Sequence, residues 1–168
     1  MSGRPALTFS PLETPVGWLY VVSDGASVVE IAFERPPVPE GHGHEGHAGA
    51  HAVRQLMEYF RGERFTFDVA INPTKVSNFY TAVFMALREI PYGITCSYKE
   101  LAAMAGSPLA ARAVGQAMSR NPIPVIIPCH RVIASDGSHG GYTGGVGVKE
   151  KLLAMERQYA SASGKIPD

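Results

Sequence analysis

Cys129 and His130 stand side by side in Ile127-Pro128-Cys129-His130-Arg131-Val132, a run that is otherwise apolar. A thiol followed by an imidazole and a guanidinium sits in an electropositive setting, which lowers a cysteine pKa and raises the fraction of reactive thiolate at neutral pH. The chemistry on offer is nucleophilic attack by sulfur. A small buried hydrophobe with charged neighbours is the other reading of the same residues. Adjacent residues of an extended segment point to opposite faces, so His130 is expected to reach the sulfur only through a bridging water. Val148 to Tyr159 reads as a helix with Leu152, Leu153 and Met155 inward and Glu156 near its end.

The elements that must position these groups have sequence signals of their own. Upstream, Pro122, Pro124 and Pro128 deny the chain a regular ladder, and the Asn121 side chain can tie the loose backbone together. Downstream, in Ser138 to Gly145, paired glycines flank Tyr142 and Thr143 and let backbone approach a flat ligand closely. Ser97-Tyr98-Lys99-Glu100 is a Ser-x-x-Glu capping box opening a helix through Leu101, Ala102 and Met104, which Gly106 can close in a left-handed turn. Ser107 and Pro108 are expected to cap and start a second helix from Leu109 to about Arg120, which ends before the Asn121-Pro122 step. Two helices joined by a short glycine-containing turn make a helix-turn-helix candidate. The second is small almost throughout, with Ala111, Ala113, Gly115 and Ala117, and Arg112 is its conspicuous long charge; an ordinary packing helix with one solvated arginine is the bland alternative.

The first half reads as a separate α/β unit. Gly17 to Ser23 and Ser27 to Phe33 are strand-like runs joined across Asp24-Gly25-Ala26, and Phe65, Phe67, Val69 and Ile71 alternate as a third strand. Val53, Leu56, Met57 and Phe60 mark one helical face, and Ser77 is placed to cap a helix whose Phe79, Val83, Phe84 and Leu87 point inward. Pro36 to His51 carries His42, His44, His47 and His51 among glycines; we read it as a polar surface loop, because glycine-rich chain does not preorganise a tetrahedral metal site. The boundary is expected near residues 73 to 77, giving units 1–75 and 76–168.

With 168 residues, 45% hydrophobic and 18% charged, the composition is that of an ordinary globule. No apolar stretch approaches the roughly 20 residues that span a bilayer, and the start Met1-Ser2-Gly3-Arg4-Pro5 has no signal-like apolar region, so no membrane association and an intracellular site are expected. Cys96 and Cys129 provide no disulfide framework, and Cys96 reads as a small buried residue. Net charge is zero, yet residues 1–90 hold 7 basic and 10 acidic side chains and residues 91–168 hold 8 and 5, so the sign changes from −3 to +3 where the motifs begin. A basic half is the expected DNA face.

Taken together, Pro-Cys-His-Arg, the Asn-Pro-Ile-Pro run before it, the Gly-Gly-Tyr-Thr-Gly-Gly loop, the Ser-Tyr-Lys-Glu capping box and Ala-Ala-Arg-Ala-Val resemble the O6-alkylguanine-DNA alkyltransferases, also known as methylated-DNA–protein-cysteine methyltransferases. The resemblance covers nearly the whole chain. It implies a ribonuclease-H-like α/β N-terminal domain and a mainly α, winged-helix-like C-terminal domain with a helix-turn-helix. It implies direct-reversal DNA repair, in which O6-alkylguanine is flipped from duplex DNA and its alkyl group passes irreversibly to Cys129, each molecule acting once, without cofactor or metal. Some relatives hold structural zinc in the first domain, but the cysteine ligands have no counterpart here.

Residue by residue, the resemblance makes Cys129 the nucleophile, His130 its water-relayed base and Glu156 the orienter, while Asn121 braces the site and Tyr98 gives the leaving guanine its proton. Pro124 and Tyr142 wall the flipped base with Val132 and Met118 nearby, Thr143 reaches O6, and the carbonyls of Cys129 and Val132 accept from the exocyclic amine. Arg112 takes the place of the extruded nucleotide in the minor groove, on a helix presenting Ala111, Ala113 and Gly115. Apart from the resemblance, Lys99 and Arg120 add positive charge at either end of the helix pair, as phosphate contacts or as solvated surface residues. The expected partner is double-stranded DNA, bound by a monomer, in the cytoplasm of a prokaryote or the nucleus of a eukaryote. A catalytically silent alkyltransferase-like lesion binder and a cysteine hydrolase are the rival classes. The retained cysteine speaks against the first, and the helix pair has no place in the second.

Overall fold

The computed structural model describes residues 6–40, 47–73 and 76–164, in two compact units, Met1–Thr74 and Lys75–Asp168. In the first, β1 (Thr8–Thr14), β2 (Gly17–Ser23) and β3 (Val28–Ala32) form an antiparallel sheet in that order. The tight β1–β2 turn is held by Thr14, whose hydroxyl donates to the Gly17 carbonyl at 2.6 Å. Asp24 closes the next turn, its carboxylate accepting from the Ala26 and Ser27 amides at 3.0 and 2.7 Å. Along β2 the side chains alternate: Leu19 and Val21 are fully buried, while Val22 joins Phe9 and Val29 in a second cluster that Tyr20 and Val38 cover. Helix α1 (Ala48–Phe60) packs on all three strands.

The third strand expected from Phe65 to Ile71 is not there. Its alternation shows in burial, with Val69 only 4% exposed, but it pairs with β3 only around Val28, which donates to the Ala70 carbonyl and accepts from the Asn72 amide. The Asp68 amide donates to Gln55 Oε1 at 3.1 Å, and only an isolated bridge joins Val28 to Ile71. The third strand is β1, which carries Pro11 and tolerates it as an edge strand, where a ladder donor can be spared. The buried side of α1 also differs from expectation: Leu56 and Phe60 are buried, but Ala52, Gln55 and Tyr59 complete the face, and Met57 is exposed. Of the four histidines, His47 is the N-cap of α1, accepting from the Gly49 amide, and His51 lies beside Gln55 and Asp68. His42 and His44 lie outside the described residues.

The second unit is mainly helical: α2 (Asn78–Arg88), β4 (Cys96–Ser97), α3 (Tyr98–Met104), α4 (Ala111–Ser119), a 3-10 turn at Cys129–Arg131, β5 (Val132–Ile133) and α5 (Val148–Ala162). Ser77 caps α2 through the Tyr80 amide, and Val83, Phe84 and Leu87 are buried while Phe79 is half-buried. The parallel pair β4–β5 places Cys96 opposite Val132, so the start of α3 and the end of the cysteine turn are tied together. The capping box of α3 is complete: the Ser97 hydroxyl accepts from the Glu100 amide at 3.2 Å, and the Ser97 amide donates to the Glu100 carboxylate at 2.6 Å. Gly106 follows with φ +75.

The start of α4 is a correction. Ser107 and Pro108 do not cap it; with Leu109 they form a turn closed by the Ala110 amide on the Ser107 carbonyl at 2.9 Å, and the helix begins at Ala111 without a side-chain cap. Pro108 fits the turn as readily as a first helical turn, since its fixed φ suits both. Replacing Ser97 by Ala removes half of the capping box. The expected cost is about 1 kcal/mol, read as a lower urea midpoint, whereas Ser107→Ala should leave the midpoint nearly unchanged.

Candidate active site

Asn121 does the local folding around the cysteine. Its Nδ2 donates to the Ile127 carbonyl at 2.8 Å and to the Cys129 sulfur at 3.2 Å, and its Oδ1 accepts from the Ile123 amide at 3.0 Å. Inside this bracket Val125 adopts φ +73, a strained conformation for a β-branched residue that the surrounding bonds must over-determine. The chain emerges at Cys129 as a 3-10 turn, not the extended segment expected from the sequence. His130 and Glu156 have no exposure, and Cys129 only 3%.

Glu156 Oε1 lies 2.7 Å from His130 Nε2. A carboxylate can only accept, so Nε2 carries the hydrogen and Nδ1 holds the lone pair. Nδ1 is buried and makes no hydrogen bond among the described residues, which leaves it as the basic atom. Burial by itself would raise the Glu156 carboxyl, but the hydrogen bonds from His130 and Arg131 and the Arg131 charge more than offset it and hold the group well below the usual range. Burial pushes the imidazole down from 6.5, against the pull of Glu156.

The expected electropositive activation of the thiol is also corrected. Burial raises the Cys129 pKa, and the Asn121 bond, the Lys149 charge and the amides of Cys129 and His130 only partly oppose it. Arg131 does not serve the sulfur at all: it is buried and turned onto Glu156 and the Ile90 carbonyl. The nearby cation is Lys149, 1% exposed, whose ammonium donates to the carbonyls of Val132, at 2.6 Å, and His139. The sequence reading missed it, although Lys149, Leu152, Leu153 and Glu156 fall at i, i+3, i+4 and i+7 on the one buried face of α5.

A cavity of about 400 Å³ opens onto the sulfur, lined by Tyr98, Gly115, Met118, Ser119, Cys129, Gly141, Tyr142 and Thr143. Tyr98 begins α3, and its ring lies close over Gly115 of α4. The Tyr142 ring stands edge-on to His130, with centroids 6.5 Å apart. Burial, then the neighbouring Cys129, raises the pKa of both tyrosines. Ser119 is a lining residue that the sequence did not single out, Gly141 is one of the paired glycines beside Tyr142, and Gly115 belongs to the cavity as well as to α4. Pro124 is buried and bridges to Ile127, and Val132 is buried in β5; neither lines the cavity. The Val132 carbonyl accepts from Lys149 and that of Cys129 from the Val132 amide.

Arg112 is exposed on the first turn of α4 between half-buried Ala111 and Ala113; Lys99 is exposed on α3. Arg120 caps the far end of α4 and contacts the Tyr80 hydroxyl at 3.4 Å. Cys96 is half-buried, and burial, then Glu100, pushes its thiol up to about 11. Among the described residues no His, Cys, Asp and Glu cluster is suited to a metal, and no helix is long and apolar enough to cross a membrane.

A buried cysteine that lines a cavity and is followed in the chain by a buried imidazole–carboxylate pair, carried on a helical unit after a small α/β unit, defines a cysteine-centred two-unit protein. Residues 78–158 match the family model described as the DNA-binding domain of 6-O-methylguanine DNA methyltransferase. The methylated-DNA–protein-cysteine methyltransferase of Mycolicibacterium paratuberculosis is 40% identical over 94% of this chain and 96% of its own length. The crystal structure of Mycobacterium tuberculosis O6-methylguanine methyltransferase superposes with a TM-score of 0.82 at 36% identity, covering 92% of this chain and 94% of that one. The structure of Mycobacterium tuberculosis OGT in complex with DNA does so at 0.81 and 36%, over 90% and 94%. The chain belongs to the methylated-DNA–protein-cysteine methyltransferase family.

The buried pair sets a pH dependence of stability. His130 is held neutral with a depressed pKa, so as pH falls below about 6.5 the unfolded chain takes up a proton there before the folded one does. Its contribution is therefore complete above that pH and lost below it. Glu156, also depressed, contributes above the unfolded value of about 4.3 and loses that as pH drops through its folded pKa. Urea midpoints should fall from pH 7 to 5 and fall further below 4, with a shallower slope between pH 7 and 5 in His130→Phe.

Proposed function

We propose that this protein repairs DNA by direct reversal, moving the alkyl group of O6-alkylguanine onto Cys129 in a single irreversible turnover. The observation that carries the reading is that Cys129 and Tyr98 line one cavity while the residue next to the cysteine, His130, is buried and paired with Glu156. Substitution at a saturated carbon needs an in-line nucleophile and a stabilised leaving oxygen. The Cys129 proton passes through a water to His130 Nδ1, and Glu156 stabilises the resulting imidazolium. Sulfur then bonds to the alkyl carbon as the carbon–oxygen bond breaks. The pair of electrons stays on the guanine, which takes a proton from the Tyr98 hydroxyl. The product is a thioether that water does not reverse, so protein is consumed mole for mole and no cofactor or metal takes part.

A thiol that burial keeps protonated at rest suits this scheme, because the proton leaves only when a substrate is in place to use the thiolate. Tyr142, Met118 and Thr143 enclose the flipped base, and Asn121 braces the sulfur. Pro124 and Val132 act through the backbone: Pro124 shapes the Asn121 bracket, and the Val132 carbonyl holds the Lys149 ammonium. We assign residues 76–168 as the DNA-binding and alkyl-accepting domain and residues 1–75 as a separate α/β domain. In the helical domain, α3 and α4 act as a helix-turn-helix whose second helix enters the minor groove as a monomer. Arg112 fills the gap left by the extruded nucleotide, and Lys99 and Arg120 meet phosphates. Extrusion costs a few kcal/mol, which cavity contacts and Arg112 offset. A minor-groove reader contacts little sequence, as a protein that inspects every guanine requires. It works where the chromosome is, in a nucleoid or a nucleus.

Incubation with O6-benzylguanine followed by mass spectrometry should show one benzyl group per chain, absent in Cys129→Ala. Unchanged mass with intact DNA binding would instead mark a silent lesion binder, and turnover without a stable adduct a hydrolase. Loss of the base in His130→Gln should slow transfer by about 10²-fold or more. Arg112→Ala should leave transfer from the free base unchanged while slowing transfer from O6-methylguanine in duplex DNA, measured as methyl transfer to protein.

A further inference from the structure

Arg131 is 5% exposed, and the reaction just described gives it nothing to do. A buried guanidinium is tolerated only when its donors are matched, and these are. Nε lies 3.0 Å from Glu156 Oε2, Nη2 lies 2.9 Å from Oε1, and Nη1 donates to the Ile90 carbonyl at 2.6 Å. The guanidinium also faces the Tyr92 ring at 5.6 Å. Glu156 in turn accepts from His130 Nε2 at 2.7 Å and from the Gly93 amide at 3.0 Å. The fork spans both carboxylate oxygens, so it sets the plane of the carboxylate as well as its charge.

That plane decides which nitrogen of His130 is basic. A carboxylate held against Nε2 keeps the hydrogen there and leaves Nδ1 bare. A carboxylate free to turn, with less positive charge on it, also becomes a better base and competes for the proton. Either change populates an imidazole whose Nδ1 is protonated and useless to the thiol. We propose that Arg131 is a positioning residue: its fork on Glu156 locks His130 as the Nε2–H tautomer, so that the proton leaving Cys129 stops on Nδ1 and does not run on to the carboxylate. The inference rests on the alkyl-transfer reading for its kinetic consequence, but not for the tautomer itself.

The other ionisable groups facing this pair are Lys149 from α5, Tyr92 from the segment before β4 and Tyr142 from the glycine-rich loop, with Tyr159 beside Tyr92 and Cys129 beside Tyr142. The Tyr92 and Tyr142 hydroxyls are pushed upward by burial, and Lys149 is committed to two carbonyls. The imidazole is thus the group whose titration sets the acid limb of the rate.

The experiment compares wild type, Arg131→Met and Arg131→Lys by histidine ¹⁵N NMR and by the pH dependence of O6-benzylguanine transfer, with folding checked by circular dichroism. Wild type should show the Nε2–H tautomer of His130. Arg131→Met should show mixed tautomers, a shifted acid limb and a rate lower by about tenfold or more at neutral pH, with little change in the benzylguanine concentration that half-saturates it. Arg131→Lys, which keeps the charge but not the fork, should recover only part of this. A native tautomer and an unmoved acid limb in folded Arg131→Met overturns the proposal, and in Arg131→Lys should Arg131→Met fail to fold. If wild type takes no benzyl group, the alkyl-transfer reading falls, and the NMR comparison alone still decides the role of Arg131.

Discussion

Glu156 has no contact with solvent, and an ionised carboxylate persists there only because His130, Arg131 and the Gly93 amide all donate to it. Removing any one donor would leave a buried charge short of compensation, which is far more costly than losing an exposed ion pair. The same three contacts join α5, the turn at Cys129–Arg131 and the segment ahead of β4. A single side chain therefore ties the chemistry to the core of the helical unit. The sulfur inherits its position from this knot and from the Asn121 bracket on its other side.

The cavity depends on residues that are absent as much as on those present. A Cβ on Gly115 would rest in ordinary contact with the Tyr98 ring at 3.6 Å, whereas one on Gly140 would stand 3.3 Å from the Tyr98 hydroxyl at a backbone φ of +66. A side chain at Gly140 would press on the hydroxyl, and one longer than a methyl at Gly115, a lining residue, would enter the cavity. Small residues here serve access, and the large buried side chains of the unit, Leu87, Leu101, Ile123, Ile127 and Leu152, carry the packing.

Features governed by neighbours in the chain were legible. The α3 capping box, the Ser77 cap, the Gly106 turn and the tethering role of Asn121 all follow from side chains that reach backbone a few residues away. The β2–β3 hairpin was legible for the same reason, through Asp24. Strand β1 was not, because Pro11 argues against a strand until its edge position is known. Residues 65 to 71 carried a strand's alternation, but Gln55, on a helix earlier in the chain, took the hydrogen bond a partner strand would have used.

What the sequence by itself determined was the set of reacting types, cysteine, histidine and glutamate, together with the breaks and caps that shape the chain around them. Those properties reside in covalent structure and short-range bonds. Tertiary structure decided the electrostatics. It turned Arg131 away from the thiol and onto Glu156, brought Lys149 in its place, and buried Cys129 so deeply that its pKa rises where its neighbours in sequence suggested a fall. Desolvation and charge pairing depend on distance through space, and residues 17 or more positions apart set them here.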